Sequence, residues 1–129
     1  MPAHHALLVD DDARNLSILE RLLTMQGMQS LSIPDPRQLD LALPTLPAIH
    51  VVFLDLELPA FNGYEVLARL RQDARLDGVP IIACTVHISE RETAHERGFD
   101  GFIGKPLDAE RFPDQLARIL RGEPVWEVI

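Results

Sequence analysis

Short apolar runs alternate with amphipathic segments along the whole chain. Five of these runs, at 6–9, 31–33, 51–54, 79–84 and 102–103, have the length and composition of strands. The alternation predicts repeated βα units on a parallel sheet. The near-continuous hydrophobicity of the first, third and fourth runs predicts strands buried on both faces, with the third run central. The short second run suits an edge.

Five amphipathic segments predict helices. In the first, four leucines recur at helical spacing before Gly27 ends the helix. In the last, Pro113 is acceptable only in the first turn, so that helix should begin near Glu110. The four leucines are Leu16, Leu19, Leu22 and Leu23, and the remaining helices are predicted over 37–43, 63–73 and 89–97.

The fourth of these helices has little to bury. Ser89 and Glu92 have the spacing of a capping box, yet Ala94 is the only apolar residue between positions 89 and 98. Such a segment is either a weakly anchored moving part or an ordinary solvated surface helix.

Composition limits the class of protein. With 129 residues, 47% of them apolar, the chain suits a single domain with one core, which we expect over about 5–121 with a tail at 122–129. The net charge of −8 opposes tight binding to nucleic acid, because a phosphate backbone attracts basic surfaces.

The compartment can also be predicted. Cys84 is the single cysteine, which excludes an internal disulfide, suits a reducing environment and favours a role as a small apolar residue. The apolar run at 6–9 is far too short for a signal peptide or a membrane span. We therefore expect a cytoplasmic protein with no membrane association.

Four short patches carry the candidate chemistry, and each closes a predicted strand. They are Asp10-Asp11-Asp12, Asp55, Thr85 and Lys105-Pro106. In an open α/β sheet the carboxyl ends of the strands share one crevice, so these patches should meet there. Acids, a hydroxyl and an ammonium in one pocket indicate a phosphoryl and metal site.

Each patch also has an ordinary explanation. The three aspartates could cap the first helix, although one would suffice, and a bound Mg²⁺ would relieve their mutual repulsion. Asp55 alone could be a turn residue, Thr85 an ordinary strand residue and Lys105 a solvated cation. Only their combination is specific.

Five motifs complete this picture in a fixed order. They are Leu8-Val9-Asp10-Asp11, Phe53-Leu54-Asp55-Leu56-Glu57-Leu58-Pro59, Asn62-Gly63-Tyr64-Glu65-Val66-Leu67, Ile82-Ala83-Cys84-Thr85 and Gly101-Phe102-Ile103-Gly104-Lys105-Pro106. This order resembles the receiver domain of two-component response regulators over nearly the whole chain. The resemblance implies a doubly wound, flavodoxin-like α/β fold with five parallel strands in the order 2-1-3-4-5 and five helices.

The same resemblance implies roles for individual residues. Asp55 would accept a phosphoryl group, and Mg²⁺ would be held by Asp10, Asp11, Asp55 and the backbone carbonyl of Glu57. Lys105 would pair with a phosphoryl oxygen. Thr85 would bind another oxygen and act with Phe102 as the switch, Phe102 rotating inward. The domain would thus catalyse its own phosphorylation and dephosphorylation while serving mainly as a signalling switch.

The resemblance further implies partners. A histidine kinase or a histidine phosphotransfer protein would supply the phosphoryl group to a stand-alone receiver, whose output must pass through a surface. A homodimer could form through the fourth helix, fifth strand and fifth helix, with polar contacts from Arg111, Arg118 and Arg121. Trp126 could pack over the last helix or meet a partner.

Departures from the family pattern keep rivals open. Val86 stands where a small residue is usual and could narrow access to the site, so a receiver-like module that works without phosphorylation is one alternative. An Mg²⁺-dependent phosphatase with an Asp nucleophile is another, although Glu57 replaces its second Asp. A phosphate-loop nucleotidase is excluded by Phe99 and Pro106, and a flavin binder is opposed by the acidic site. The five histidines show no ligand spacing.

Overall fold

The computed structural model describes residues 4–58 and 61–127. Within them, six parallel strands form one sheet in the order β2-β1-β3-β4-β5-β6. The predicted order 2-1-3-4-5 is confirmed for the first five strands. The strands are β1 (His5–Val9), β2 (Gln29–Ile33), β3 (Val51–Leu54), β4 (Ile81–Thr85), β5 (Gly101–Gly104) and β6 (Val125–Glu127).

Five α-helices in the described residues cover both faces of this sheet. Alternate strand residues point to opposite faces, so each face buries its own set of apolar side chains. One set packs with α1 and α5, the other with α2, α3 and α4, which confirms the doubly wound arrangement. The helices are α1 (Ala13–Met25), α2 (Leu39–Ala42), α3 (Gly63–Arg71), α4 (Arg91–Glu96) and α5 (Phe112–Leu120).

Most element boundaries follow the sequence signals. The four leucines of α1 are buried, and Gly27 follows the helix with a φ of 79°, a left-handed conformation that glycine adopts without strain. Pro113 lies in the first turn of α5, as predicted. The helix begins at Phe112 rather than near Glu110, because a turn capped by Asp108 precedes it.

The capping box predicted for α4 is wrong. Ser89 lies within a 3₁₀ turn, Ile88–Glu90, so its backbone is already helical and cannot take the extended conformation that an N-cap requires. The helix begins at Arg91 with no side-chain cap on its first turn. Ala94 is the buried residue of α4, which confirms that the helix buries little.

The prediction of five strands is also wrong. Segment 122–129 was expected to lie beyond the core, but Val125–Glu127 adds a sixth strand, and Val125 is 1% exposed. Three residues are too few to show a period of two, and the preceding Gly122 and Pro124 suggest the end of the ordered chain.

Cys84 packs in the core as predicted. It is buried on β4 among side chains of the face that carries α1 and α5. Burial raises the pKa of its thiol to about 12, so the group stays protonated and acts as a small apolar side chain. Separately, none of the helices in residues 4–58 and 61–127 has the length and apolar content needed to cross a bilayer.

Three histidines that are separate in the sequence share the amino-terminal edge of the sheet. The His5 amide N–H donates to Nδ1 of His50 at 3.1 Å, and the rings of His4 and His50 lie 4.6 Å apart. Burial, together with the neighbouring His4 and His5, lowers the pKa of His50. This proximity arises from pairing between strands, which sequence spacing does not show.

Candidate functional site

Strand pairing carries the four sequence patches to one end of the sheet. Asp10 follows β1, Asp55 follows β3, Thr85 ends β4 and Lys105 follows β5. Backbone hydrogen bonds extend the ladder to these residues. The amide of Asp55 donates to the Val9 carbonyl at 3.0 Å, and that of Lys105 donates to the Thr85 carbonyl at 2.9 Å. The site is therefore positioned by the rigid sheet rather than by a free loop.

Lys105 links two of the carboxylates. Its Nζ donates to Oδ2 of Asp10 at 2.6 Å and to Oδ2 of Asp55 at 3.2 Å. The side chains are 7%, 10% and 11% exposed, respectively. Such buried charges require pairing, because water no longer solvates them. The ordinary alternative of a solvated Lys105 is thus excluded.

Burial and pairing shift the pKa values of Asp10 and Lys105. Burial raises the pKa of Asp10, and this outweighs the opposing hydrogen bonds from Lys105 and the Asp12 amide. Burial lowers the pKa of Lys105, but the hydrogen bond to Asp10 and the nearby acids more than offset it and raise the pKa overall. The surroundings therefore favour positive charge and oppose further negative charge.

The three consecutive aspartates divide between two roles. Asp12 caps α1, because its carboxylate accepts from the amides of Arg14 at 2.8 Å and Asn15 at 3.3 Å. Asp10 and Asp11 instead join Asp55, with carboxylate oxygens of the three within 4.8 Å of one another. The helix-cap interpretation is confirmed for Asp12, and metal binding by Asp10 and Asp11 stays a prediction.

The donor set fits a divalent cation. Asp10, Asp11 and Asp55 with Lys105 carry a formal charge of −2, which a divalent ion would offset. Carboxylate oxygens are the hard ligands that Mg²⁺ prefers. Glu57 begins a two-residue strand, Glu57–Leu58, that pairs with Phe61–Asn62, and its carbonyl stays a predicted ligand. Pro59, the last residue of the same motif, lies outside the described residues.

Thr85 and a cleft complete the surroundings of Asp55. Thr85 is fully buried, and its Oγ1 accepts from the amide of His87 at 3.2 Å. A small cleft of about 80 Å³ is lined by Asp55 and Lys105 on its polar side and by apolar residues such as Ile18. A ligand could therefore approach the carboxylate along an apolar wall.

Two positions of the predicted switch can be located. Phe102 on β5 is fully buried, so the inward orientation expected for it is already present, and its rotation stays a prediction. Val86 is 60% exposed. Its predicted effect on access to the site also stays a prediction.

Gly63 contributes to the site, although the sequence predicted it only as the start of the third helix. A Cβ at this position would lie 2.6 Å from the Leu56 Cα and 2.8 Å from the Asp55 carbonyl oxygen. The start of α3 thus packs directly against the backbone that holds the acceptor carboxylate. The Asn62-Gly63 pair marks a turn, but this close approach depends on tertiary structure.

A doubly wound sheet with an acidic, lysine-paired pocket at its carboxyl end defines a class of small α/β domains. The chain belongs to the response regulator receiver domain family of two-component signalling, whose match covers residues 6–117.

Curated relatives support this assignment. Over 112 residues the chain is 33% identical to stress response regulator protein 1 of Meyerozyma guilliermondii, a match that covers 84% of this chain and 51% of that protein. Over 106 residues it is 31% identical to the protein of the same name from Clavispora lusitaniae, a match that covers 79% of this chain and 56% of that protein. The chain thus spans about half the length of the curated relatives it matches.

Solved structures share the fold. Chemotaxis protein CheY4 of Vibrio cholerae superposes with a TM-score of 0.80 at 22% identity, covering 92% of this chain and 99% of that one. A CheY-like receiver domain from Methylobacillus flagellatus superposes with a TM-score of 0.78 at 25% identity, covering 92% of this chain and 99% of that one.

Proposed function

We propose that Asp55 accepts a phosphoryl group from a phosphohistidine on a histidine kinase or a histidine phosphotransfer protein. The observation that carries this proposal is the grouping of Lys105, Asp10 and Asp11 around the Asp55 carboxylate at the cleft. Phosphoryl transfer depends on positioning and on charge compensation. Asp55 would be the nucleophile, and Lys105 together with a cation bound by Asp10 and Asp11 would compensate the charge.

The transfer would proceed in line. A carboxylate oxygen of Asp55 attacks phosphorus, the phosphorus–nitrogen bond of the donor breaks, and the imidazole leaves with the electron pair. Lys105 offsets charge on a phosphoryl oxygen, and the Thr85 hydroxyl donates a hydrogen bond to another. Mg²⁺, held by Asp10, Asp11 and Asp55, would supply further charge compensation when bound. Attack of water on the acyl phosphate would then reset the domain.

The phosphoryl group would act as a switch by adding charge at the site. Thr85 would change its contacts, and Phe102 and α4 would follow. The weak burial of α4 favours movement of this helix. We also propose a cytoplasmic location and the homodimer through α4, β5 and α5. That dimer would have to accommodate β6, which covers the β5 edge.

Acceptance of a phosphoryl group can be tested directly by intact-protein mass after incubation with acetyl phosphate and Mg²⁺. We expect one phosphoryl adduct on the wild-type chain and none on Asp55→Asn, because the amide cannot act as the nucleophile. Addition of EDTA should prevent the adduct. If the wild-type chain stays unmodified with acetyl phosphate and also with a phosphorylated phosphotransfer protein, the result would favour a receiver-like module that works without phosphorylation.

Replacement of one metal-binding acid should weaken the cation site. For Asp11→Asn we expect Mg²⁺ affinity to fall about tenfold, roughly 1.4 kcal/mol, because one of three charged ligands is lost. Isothermal titration calorimetry with Mg²⁺ measures this. Asp12→Asn is the matched control, since it removes the same charge one residue away and asparagine can still cap α1. Equal losses in both variants would contradict the assignment.

A further inference from the structure

Tyr64, the second residue of α3, contacts residues on both sides of α4. Its hydroxyl donates to Oε2 of Glu90 at 3.1 Å, and Cζ of Arg97 lies 4.6 Å from the centre of its ring. Glu90 is the residue immediately before α4, and Arg97 is the residue immediately after it. One side chain of α3 therefore contacts both ends of this short helix.

The ring of Tyr64 is fixed as well as its hydroxyl. It packs edge-on against Phe99, with the ring centres 5.9 Å apart, and Phe99 is buried in the core. Edge-to-face aromatic pairs and a cation over a ring each add attraction beyond burial. Burial, followed by the hydrogen bond to Glu90, raises the pKa of Tyr64 to about 12. The hydroxyl therefore keeps its proton and donates throughout the physiological pH range.

Glu90 is placed for this contact rather than for helix capping. It occupies the N-cap position of α4, where short side chains are preferred because their oxygens reach the amides of the first turn. The Glu90 backbone is helical, and its side chain makes no capping hydrogen bond. Its carboxylate thus joins α4 to α3 and leaves the start of α4 uncapped.

A series of hydrogen bonds leads from Glu90 to the Thr85 hydroxyl. The Glu90 amide donates to the His87 carbonyl at 3.0 Å, and the His87 amide donates to Oγ1 of Thr85 at 3.2 Å. Thr85 is the proposed ligand of a phosphoryl oxygen. The position of Glu90 therefore bears directly on the position of the hydroxyl that must meet the phosphoryl group.

Tyr64 is also connected to the acceptor carboxylate through the backbone. It follows Gly63, whose amide donates to the Leu56 carbonyl at 3.0 Å. A Cβ at Gly63 would come within 3 Å of backbone atoms of Asp55 and Leu56, so the start of α3 is held against the loop after β3. The hydrogen bond from Tyr64 consequently joins the two segments that carry Asp55 and Thr85.

We propose that Tyr64 is a positioning residue for phosphoryl transfer, which holds the 86–90 loop, and through it the Thr85 hydroxyl, in the arrangement of the unmodified domain. This inference rests on the proposed function and adds a contact from α3 to the switch of Thr85 and Phe102. When Thr85 turns to a phosphoryl oxygen, the loop follows and the bond from Tyr64 to Glu90 breaks. The bond opposes phosphorylation, because it stabilises only the starting arrangement.

The experiment compares variants of the full chain in the rate at which acetyl phosphate and Mg²⁺ label Asp55. Tyr64→Phe removes the hydroxyl and keeps the ring. We expect its initial labelling rate to rise about fivefold, which corresponds to about 1 kcal/mol, the net value of a typical hydrogen bond. Glu90→Ala should give the same rise, and the double variant should rise no further, since both changes remove one bond.

Two further variants serve as rescue and control. Glu90→Gln keeps a side-chain oxygen that can accept from Tyr64, so its labelling rate should return close to that of the wild type. Glu92→Ala removes the same charge from the first turn of α4 at an exposed residue and keeps both partners of the hydrogen bond. It should label at the wild-type rate.

Two readouts report on the loop and on α4 before any phosphoryl donor is added. The His87 amide should exchange about fivefold faster in Tyr64→Phe than in the wild type, while the amides of α1 keep their rates. Trp126 is the single tryptophan, and its ring lies 4.3 Å from that of His95 on α4. Its emission in Tyr64→Phe should shift in the direction that labelling shifts the wild type.

Two results would overturn the proposal. The first is a labelling rate of Tyr64→Phe at or below that of the wild type together with lower stability in urea, which would make Tyr64 a purely structural residue. The second is an equal rise in Glu92→Ala, which would show a general loosening of α4. A wild-type chain that no donor labels would contradict the proposed function instead. Faster exchange of the His87 amide in Tyr64→Phe would then still show that Tyr64 holds the loop, and unchanged exchange would refute that as well.

Discussion

Replacing Lys105 with methionine is expected to destabilise the fold by about 3 kcal/mol at neutral pH and to abolish phosphorylation of Asp55. Removal of one partner from a buried charge pair costs about 3–5 kcal/mol, because the other charge is left uncompensated. Here two carboxylates, Asp10 and Asp55, lose the same ammonium. The phosphoryl group also loses the cation proposed to offset its charge.

The loss should depend on pH in a defined direction. Burial already raises the pKa of Asp10 above its unfolded value, and removal of Lys105 should raise it further. A carboxyl group whose pKa is higher in the folded state than in the unfolded state destabilises the fold only when it is ionised. This destabilisation is absent below the unfolded pKa and grows as the pH rises through the folded pKa. The destabilisation of the Lys105 variant should therefore be largest at neutral pH and shrink as the pH approaches 4.

Urea unfolding at several pH values measures this effect. The dependence of the unfolding free energy on urea concentration should be the same for the variant and the wild type if both unfold in two states. Arg121→Met is the matched control. It removes the same charge from an exposed residue that is paired with the exposed Glu123, and should change stability by less than about 0.5 kcal/mol. Added Mg²⁺ should restore part of the Lys105→Met loss. Equal stability of the Lys105 and Arg121 variants would show that the site tolerates its negative charge without Lys105.

Replacing Gly63 with alanine is expected to destabilise the fold by about 2 kcal/mol and to slow phosphorylation of Asp55 about tenfold. Its Cβ would lie within 3 Å of three backbone atoms of Asp55 and Leu56. Backbone cannot give way as a flexible side chain can, so α3 and the loop after β3 must separate. Displacement of a reacting group by even about 1 Å lowers rates strongly.

This expectation is opposite in sign to that from helix propensity. Gly63 is the first residue of α3, where propensity alone would favour alanine over glycine by up to about 1 kcal/mol. Asn62→Ala is the neighbouring control, because it removes the side chain that caps Tyr64 but adds no clash, and should cost about 1 kcal/mol without slowing phosphorylation. Urea unfolding and the time course of acetyl phosphate labelling measure both effects. A stabilised Gly63→Ala chain would show that the loop adapts.

Much of the site could be predicted because each of its residues follows a strand. The ends of the apolar runs locate the strand ends, and parallel topology brings those ends together, so Asp10, Asp55, Thr85 and Lys105 could be grouped from sequence. The resemblance to receiver domains then assigned their roles. The division of the aspartate run between Asp12 and the other two could not be predicted, because any of the three can cap a helix.

The missed features share a physical cause. The sixth strand, the clearance at Gly63 and the internal pairing of Arg111 and Arg118 all arise from packing between separate elements of the fold. A three-residue strand has no detectable period, and a glycine in a turn looks the same whether or not a backbone passes near it.

The sequence by itself determined most element types and the pocket at the carboxyl ends of the strands, because the hydrophobic pattern and the residues after each strand are local features. The order of the first five strands followed from the resemblance to the receiver family. The tertiary structure alone decided how Lys105 is shared between Asp10 and Asp55 and what covers the β5 edge. These outcomes depend on distances between residues far apart in the chain, and such distances exist only once the sheet has formed.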